Sequence, residues 1–212
     1  MPFASRHDAG QKLGRHLLNE GVEADVAVGL PRGGVVVAAE VSHILHCPLE
    51  VLVVRKIGHP LHREFAVGAM AENDVVLLNE MALGPTLGIR AKLAEIIKEE
   101  KERLWQYQLK FHQTGRFDFR DKRVLLVDDG LATGATMEAA VLSARKQGAR
   151  KVIVAVPVAS TGAIQRLEAV ADDVLAIVVD PDFEAVGVYY ATFSQTSDEE
   201  VLDLLRAEHV SH

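Results

Sequence analysis

The sequence predicts an α/β protein in which a parallel sheet carries helices on both faces. Apolar runs alternate with helix-like segments over residues 25–179, as they do in parallel α/β sheets. Within this region, residues 124–136 combine an apolar run, two carboxylates and a turn of small residues that leads into a helix. Polar or charged side chains also follow four of the predicted strands, where such sheets bind their ligands.

Length and composition suit one domain over residues 1–212. The chain has 212 residues, of which 49% are hydrophobic and 25% are charged, so it can bury a sizeable core. A net charge of −7 without a long basic block argues against non-specific nucleic-acid binding. There is no apolar core of a signal peptide, and no apolar run approaches the ~20 residues that span a bilayer. Cys47 is the only cysteine, which excludes an internal disulfide and suits a reducing, cytoplasmic location.

The first half of the chain has the spacing of alternating helices and strands. The pattern predicts helices at residues 8–19 and 35–45 and strands at 25–30 and 49–54. The second strand ends in Arg55 and Lys56, and residues 57–64 are expected to form a mobile loop. His59 and His62 in this loop are either a metal-binding pair or solvated side chains. Solvated side chains are favoured, because no further cysteine or histidine cluster completes a metal site.

The second half resumes this alternation after an insertion. Residues 65–71 and 75–79 are predicted to be short strands joined by a turn. A long helix follows at residues 87–111, where Trp105, Tyr107 and Phe111 are more typical of packing than of base stacking. Later strands are predicted at residues 124–127, 151–158 and 174–179, and later helices at 137–147, 160–169 and 197–207.

The stretch at residues 124–136 indicates a site for a phosphorylated sugar. Its small-residue turn consists of Thr133, Gly134, Ala135 and Thr136. The backbone N–H groups of such a turn and the positive end of the following helix attract an anion. Asp128 and Asp129 can accept hydrogen bonds from sugar hydroxyls. Because carboxylates repel a bare phosphate, the ligand must present hydroxyl groups or a metal ion on that side.

A second strand–loop–helix unit contains Pro31, Arg32, Gly33 and Gly34. Arg32 offers a fixed positive charge and a planar fork of donors. This loop either binds an anion or is a tight turn whose glycines only permit unusual backbone angles. Anion binding is favoured because the chain already contains another phosphate-type loop.

The stretch at residues 124–136 resembles the phosphoribosyl-diphosphate (PRPP) signature of the type I phosphoribosyltransferases. That signature is an apolar strand, two acidic residues, three variable positions and then Thr-Gly-x-Thr or Ser. Residues 31–34 are placed like the pyrophosphate loop of this family, and Arg55 and Lys56 like the basic residues before its flexible loop. The whole chain, including the stretch at residues 183–190, is similar to a bacterial group that is known only by the family name.

The resemblance implies an architecture and roles for individual residues. The fold would be a Rossmann-like parallel-sheet core at about residues 25–179, with a hairpin and long-helix insertion and a small hood at about 180–195. The residues implied to bind the 5-phosphate are Thr133, Gly134, Ala135 and Thr136. The residues implied to hold or neutralise pyrophosphate are Arg32, Gly33, Gly34, Arg55 and Lys56. The residues implied to contact the ribose hydroxyls, directly or through Mg²⁺-bound water, are Asp128 and Asp129. The hood residues implied to cover the acceptor include Asp180 and Phe183.

The activity implied by the resemblance is transfer of the 5-phosphoribosyl group from PRPP to a nitrogenous base, with Mg²⁺ as cofactor and release of pyrophosphate. Asp128, Asp129, Lys56 and Arg32 would be the catalytic residues, and a homodimer is usual among relatives. Two alternatives remain. One is a PRPP-binding regulatory protein that has lost catalysis, and the other is an enzyme that hydrolyses or phosphorolyses a ribose phosphate or nucleotide.

Two departures from the family pattern qualify this interpretation. The 6-oxopurine members carry an acidic residue just before the Thr-Gly, and this chain has Ala132 there. Salvage of hypoxanthine or guanine is therefore disfavoured. The second departure is the long helix predicted at residues 87–111, which is a candidate lid or dimer element.

Overall fold

The computed structural model describes residues 2–63, 65–83, 87–113, 115 and 117–210. In this part of the chain, five parallel strands form the larger sheet in the order β2-β1-β6-β7-β8. The bounds of these strands are β1 Val26–Gly29, β2 Leu49–Val51, β6 Arg123–Val127, β7 Lys151–Ser160 and β8 Asp173–Asp180. The predicted parallel α/β sheet is confirmed.

Helices cover both faces of this sheet because successive residues of a strand point to opposite sides. On β6, Leu125 and Val127 pack in one core cluster, whereas Val124 and Leu126 pack in the other. The helices on the first side are α1 Arg6–Asn19, α2 Gly33–Leu45 and α7 Asp198–Val210. The helices on the second side are α5 Ala135–Lys146 and α6 Thr161–Glu168.

A smaller antiparallel sheet corrects one prediction. It consists of β3 Val54–Gly58, β4 Ala66–Ala71 and β5 Val75–Leu78. The predicted strand at residues 49–54 is divided between the two sheets, and the start of the expected loop, residues 57–58, belongs to β3. The chain leaves the larger sheet after Val51, and the backbone N–H of Val53 donates to the Glu72 carboxylate at 2.8 Å. Glu64, the last residue of the predicted loop, lies outside the described residues.

The long helix α4, Leu87–Phe111, is confirmed and is preceded by the short α3, Glu80–Leu83. Phe111 is buried in the core and Tyr107 packs against it. The prediction of packing is wrong for Trp105, whose side chain is 58% exposed. Among the described residues, no helix has the length and apolar character to cross a membrane.

The terminal segments meet beside β7. Phe3 pairs with Tyr190, and the backbone N–H of Ala191 donates to the carbonyl of Phe3 at 2.8 Å. A 3-10 helix at Val186–Tyr189 precedes this pairing. The predicted cap of α7 is also present, since the Ser197 hydroxyl accepts a hydrogen bond from the backbone N–H of Glu200 at 3.0 Å.

The strand order creates a crevice between β1 and β6. The chain proceeds from β1 outward to β2 on one side, and from β6 to β7 and β8 on the other. Ligands of parallel sheets bind at such a reversal, beyond the carboxyl ends of the strands. Here the loop after β1 packs directly on the residues after β6. A Cβ on Gly34 would lie 2.8 Å from Asp128 Oδ1 and 2.9 Å from Asp128 Cα.

This close approach predicts that Gly34→Ala lowers the free energy of unfolding by about 1–3 kcal/mol, as overpacking does elsewhere. The new methyl group would press on backbone atoms of Val127 and Asp128, which cannot rotate away. Urea denaturation measures the loss. The matched control is Gly162→Ala in α6, where an added Cβ meets nothing within 4 Å. Equal losses in both variants would contradict the packing argument.

Candidate active site

A cavity of about 430 Å³ occupies the crevice at the carboxyl ends of β1 and β6. Its lining brings together residues that are far apart in the sequence. The predicted site residues on its wall are Arg55, Lys56, Asp128, Asp129, Thr133, Gly134 and Thr136. Pro31 of the predicted pyrophosphate loop and Val186 of the predicted hood also line it, as do Leu30 and Leu131, which the sequence analysis did not select for the site.

The small-residue turn forms the start of α5. Gly134 is the residue before the helix and has a φ of 73°, a left-handed conformation that favours glycine. The Thr133 hydroxyl accepts a long hydrogen bond from the backbone N–H of Ala135 at 3.5 Å. The turn is anchored to β7, because the Ser160 hydroxyl donates to the carbonyl of Ala132 at 2.6 Å. The cavity therefore meets the N-terminus of a 12-residue helix, which attracts anions.

The acidic pair is tied to its surroundings by specific hydrogen bonds. Asp128 Oδ1 accepts from the backbone N–H of Asp129 at 2.8 Å. Asp129 Oδ2 accepts from Arg6 Nε at 2.7 Å. Arg6 also donates to the carbonyl of Ser194 at 2.6 Å, and its guanidinium carbon lies 3.9 Å from the centre of the Phe193 ring. Arg6 is thus a site residue that the sequence pattern missed.

Burial changes the protonation behaviour of this pair. Burial raises the pKa of Asp128 well above its ordinary value, and the charge of Asp129 raises it further. Burial also raises the pKa of Asp129, whereas the hydrogen bond from Arg6 opposes that rise. Two adjacent carboxylates in this position repel each other until a cation or a hydrogen-bond donor enters the cavity.

Tyr190 contacts the acidic loop from the hood side. Its hydroxyl donates to the backbone carbonyl of Asp129 at 2.5 Å. Burial raises the pKa of Tyr190, and the charge of Asp129 adds to this effect. The tyrosine therefore stays protonated and acts as a fixed donor that positions the acidic loop.

Of the three predicted cations, Lys56 faces the cavity, whereas Arg55 and Arg32 each lie beside a carboxylate. Lys56 is exposed and lies on the cavity wall. Arg55 also reaches the wall, but its Nε and Nη2 each lie 2.8 Å from Glu100 Oε2. Arg32 is exposed and its Nη1 is 3.6 Å from Asp198 Oδ1. It lines an adjoining cavity of about 240 Å³, so the structure places its side chain beside the main cavity.

The glycines of the first loop also contact the acidic pair. An added Cβ on Gly33 would collide with the Asp129 carboxylate, and one on Gly34 would meet Asp128. The peptide bond between Pro31 and Arg32 is cis. The predicted pyrophosphate loop thus lies in direct contact with the predicted ribose-binding carboxylates.

The two predicted hood residues have partners outside the lining of the cavity. Asp180 Oδ2 accepts a hydrogen bond from the Tyr189 hydroxyl at 2.5 Å, which raises the pKa of Tyr189 to about 12. Phe183 stacks on Tyr189 with a centroid distance of 5.4 Å. Val186 contributes the hood side chain of the cavity wall. Asp180 and Phe183 therefore support the hood around the residue that faces the cavity.

We expect Asp128→Asn to raise the Tm of the ligand-free protein at pH 8 by about 2–4 °C, because it removes a buried charge and keeps an acceptor oxygen. Folding raises the pKa of Asp128. The wild-type carboxyl therefore contributes stability below its ordinary pKa of 3.8, and this contribution is lost as pH rises through the folded-state pKa.

The gain in Asp128→Asn should consequently be large at about pH 8 and small at about pH 4. Thermal unfolding at both values measures it. Asp203→Asn, on the exposed surface of α7, is the control and should show no such pH dependence. A larger gain at the lower pH would contradict the assigned cause.

Comparison with known proteins identifies the family. A protein of Mycobacterium tuberculosis H37Rv, provisionally named a phosphoribosyl transferase, is 39% identical over 208 residues, which are 98% of this chain and 47% of that protein. The amidophosphoribosyltransferase of Escherichia coli K12 is 26% identical over 72% of this chain and 24% of its own length. The chain thus spans about half the length of the mycobacterial relative.

The fold comparison agrees with these sequence matches. A protein of known crystal structure from Thermus thermophilus superposes with a TM-score of 0.80 at 42% identity, over 97% of this chain and 98% of that one. The sequence model of the phosphoribosyl transferase domain matches residues 6–192, which include the acidic pair, both loops and Arg6. The chain therefore belongs to the phosphoribosyl transferase domain family.

Proposed function

We propose that this protein is a Mg²⁺-dependent phosphoribosyltransferase that transfers the 5-phosphoribosyl group of PRPP to a nitrogenous base and releases pyrophosphate. The observation that carries the proposal is the single cavity that joins the small-residue turn, the acidic pair and Lys56. These three features match the three parts of PRPP, namely its 5-phosphate, its ribose hydroxyls and its pyrophosphate.

The 5-phosphate fits the turn at Thr133–Thr136, where N–H groups and the N-terminus of α5 offer donors. The ribose hydroxyls then lie toward Asp128 and Asp129, which are acceptors. Arg6 and Tyr190 keep this acidic loop in place through the hydrogen bonds described above. Positioning of this kind lowers the entropic part of the barrier to transfer.

The donor set also fits Mg²⁺ when the ligand supplies the remaining oxygens. Among the described residues, no group of three His, Cys, Asp or Glu side chains could hold a metal ion alone. Mg²⁺ commonly binds one or two carboxylates together with substrate phosphates and water. Asp128 and Asp129 would hold the ion in this way, and it would help neutralise the departing pyrophosphate.

Displacement of pyrophosphate builds positive charge at the anomeric carbon and negative charge on the leaving group. Asp128 and Asp129 stabilise the first charge, and Lys56 stabilises the second. Arg32 can contribute to the leaving-group side after it exchanges Asp198 for pyrophosphate. Ala132 and Val186 place no carboxylate or amide side chain beside the acceptor, so the proposal names a nitrogenous base only as a class.

A non-catalytic PRPP-binding protein is the second candidate. It is favoured because two residues predicted to bind pyrophosphate are already paired with carboxylates, Arg32 with Asp198 and Arg55 with Glu100.

The homodimer implied by the family resemblance also remains a prediction, and light scattering coupled to size-exclusion chromatography tests it.

The proposed activity predicts release of pyrophosphate when PRPP, Mg²⁺ and at least one nucleobase of a panel are present. Lys56→Gln should lower kcat by about 10²–10³, as loss of a charge-stabilising group does elsewhere. Lys98→Gln, an exposed position on α4, is the matched control. PRPP binding by calorimetry without turnover on any acceptor would favour the second candidate.

Arg32→Ala should weaken binding of pyrophosphate by about tenfold, which corresponds to one lost charge-assisted contact, and leave ribose 5-phosphate binding nearly unchanged. The reason is that Arg32 lines the adjoining cavity, which includes none of the residues of the turn at the start of α5. Calorimetric titration with each ligand measures the two affinities. Equal losses for both ligands would remove Arg32 from the pyrophosphate side.

A further inference from the structure

A second cavity lies on the far side of Arg55 from the proposed PRPP site. Its volume is about 440 Å³. The residues that line it are Arg55, Arg103, Gln106, Tyr107, Lys110 and Asp198. Four of these, Arg103, Gln106, Tyr107 and Lys110, recur at the spacing of one helix face on α4. No part of the family signature described above falls within this stripe.

Four cations converge here around two carboxylates. We call the set of Arg32, Arg55, Arg103 and Lys110 the basic cluster. Glu100 accepts from Arg55 at 2.8 Å and, through its other oxygen, from Arg103 at 2.7 Å. Asp198 accepts from Lys110 at 2.6 Å and lies 3.6 Å from Arg32. The charge of Glu199 also acts on Lys110, so the four cations exceed the three carboxylates by one positive charge.

The cations retain donors for a ligand. A guanidinium carries five N–H groups and an ammonium three. Within the part of the chain described above, Arg103 donates one hydrogen bond to Glu100, and Lys110 donates one to Asp198. The bond to Asp198 raises the pKa of Lys110, so this lysine is charged at neutral pH. Arg103 and Lys110 are 54% and 38% exposed, and an incoming anion can therefore reach them.

Asp198 is incompletely satisfied in this arrangement. Its Oδ1 is buried and has no hydrogen-bond partner among the described residues, although Arg32 is within ion-pair distance. At 3.6 Å, Arg32 is too far from Asp198 Oδ1 to donate a hydrogen bond, so its N–H groups remain available to a ligand with several anionic oxygens.

We propose that the basic cluster binds a second phosphate-bearing anion of the diphosphate class, separate from PRPP. Arg103 and Lys110 supply the charge, and Tyr107 forms an aromatic wall under Arg55, whose guanidinium carbon lies 5.7 Å from the ring centre. The chemistry suits inorganic pyrophosphate or the diphosphate of a nucleotide. Arg103 and Lys110 line this cavity and not the main one, whereas Arg32 and Arg55 are shared with the proposed pyrophosphate side of PRPP. Because Arg103 and Lys110 supply contacts of their own, the site does not require the proposed transferase activity.

The test is calorimetric titration of the full chain with inorganic pyrophosphate and, separately, with ADP. The wild-type protein should show a pyrophosphate-binding component that Arg103→Gln with Lys110→Gln weakens at least about tenfold. Because the cations are partly exposed, this component should also weaken as salt increases. Neither substituted residue lines the proposed PRPP cavity, so PRPP affinity should stay within about twofold.

Two further variants separate a site from general electrostatics and from misfolding. Lys92→Gln with Lys98→Gln removes the same charge from exposed positions on α4 and should leave binding unchanged. Arg103→Lys with Lys110→Arg keeps the charges and should retain binding. The proposal is overturned if pyrophosphate binding is lost equally in Arg103→Gln with Lys110→Gln and in Lys92→Gln with Lys98→Gln. It is also overturned if binding is lost in neither of these double variants.

The two ligands distinguish the source of the diphosphate. If ADP binds more tightly than pyrophosphate, and Arg103→Gln with Lys110→Gln abolishes that binding, the site is assigned to a nucleotide that stacks on Tyr107. Equal or tighter binding of pyrophosphate, also lost in that variant, assigns it to the inorganic anion. A protein that binds PRPP without turnover but keeps this component would disprove the proposed function and not the basic cluster.

Discussion

The structure of the site depends on two adjacent, half-buried carboxylates at the end of a central strand. Burial raises the pKa of both carboxyl groups, and the charge of Asp129 raises the pKa of Asp128 further. The surroundings are built to tolerate this arrangement. Gly33 and Gly34 leave room for the carboxylates where a methyl group would collide, and Arg6 supplies a counter-charge at 2.7 Å.

The same constraint explains why the terminal segments belong to the site. Arg6 comes from the first helix, and Tyr190 from the segment that pairs with Phe3. Both contact Asp129, one through its carboxylate and the other through its backbone carbonyl. The two ends of the matched family domain therefore meet at the acidic loop, and the hood is fixed to the core by residues that contact Asp129.

The helices α4 and α7 place carboxylates beside the main cavity. Glu100 on α4 forms an ion pair with Arg55, and Asp198 on α7 forms one with Arg32. Each pair must loosen before its arginine can bind an anion fully. Arg55 lines both the main cavity and the cavity of the basic cluster. An anion at the basic cluster would therefore alter the charge that faces PRPP, and affinities at the two cavities would be linked.

Sequence periodicity by itself determined the α/β class, the parallel core, the hairpin and α4, because alternating apolar runs reflect burial within each element. It also located the acidic pair and the small-residue turn, whose chemistry is local. Tertiary structure alone decided the division of residues 49–58 between two sheets, the exposure of Trp105 and the role of Arg6. Arg6 lies 123 positions from Asp129, and no local pattern encodes a contact between side chains so distant in the chain. Such contacts arise only when strand order brings their elements to one edge of the sheet.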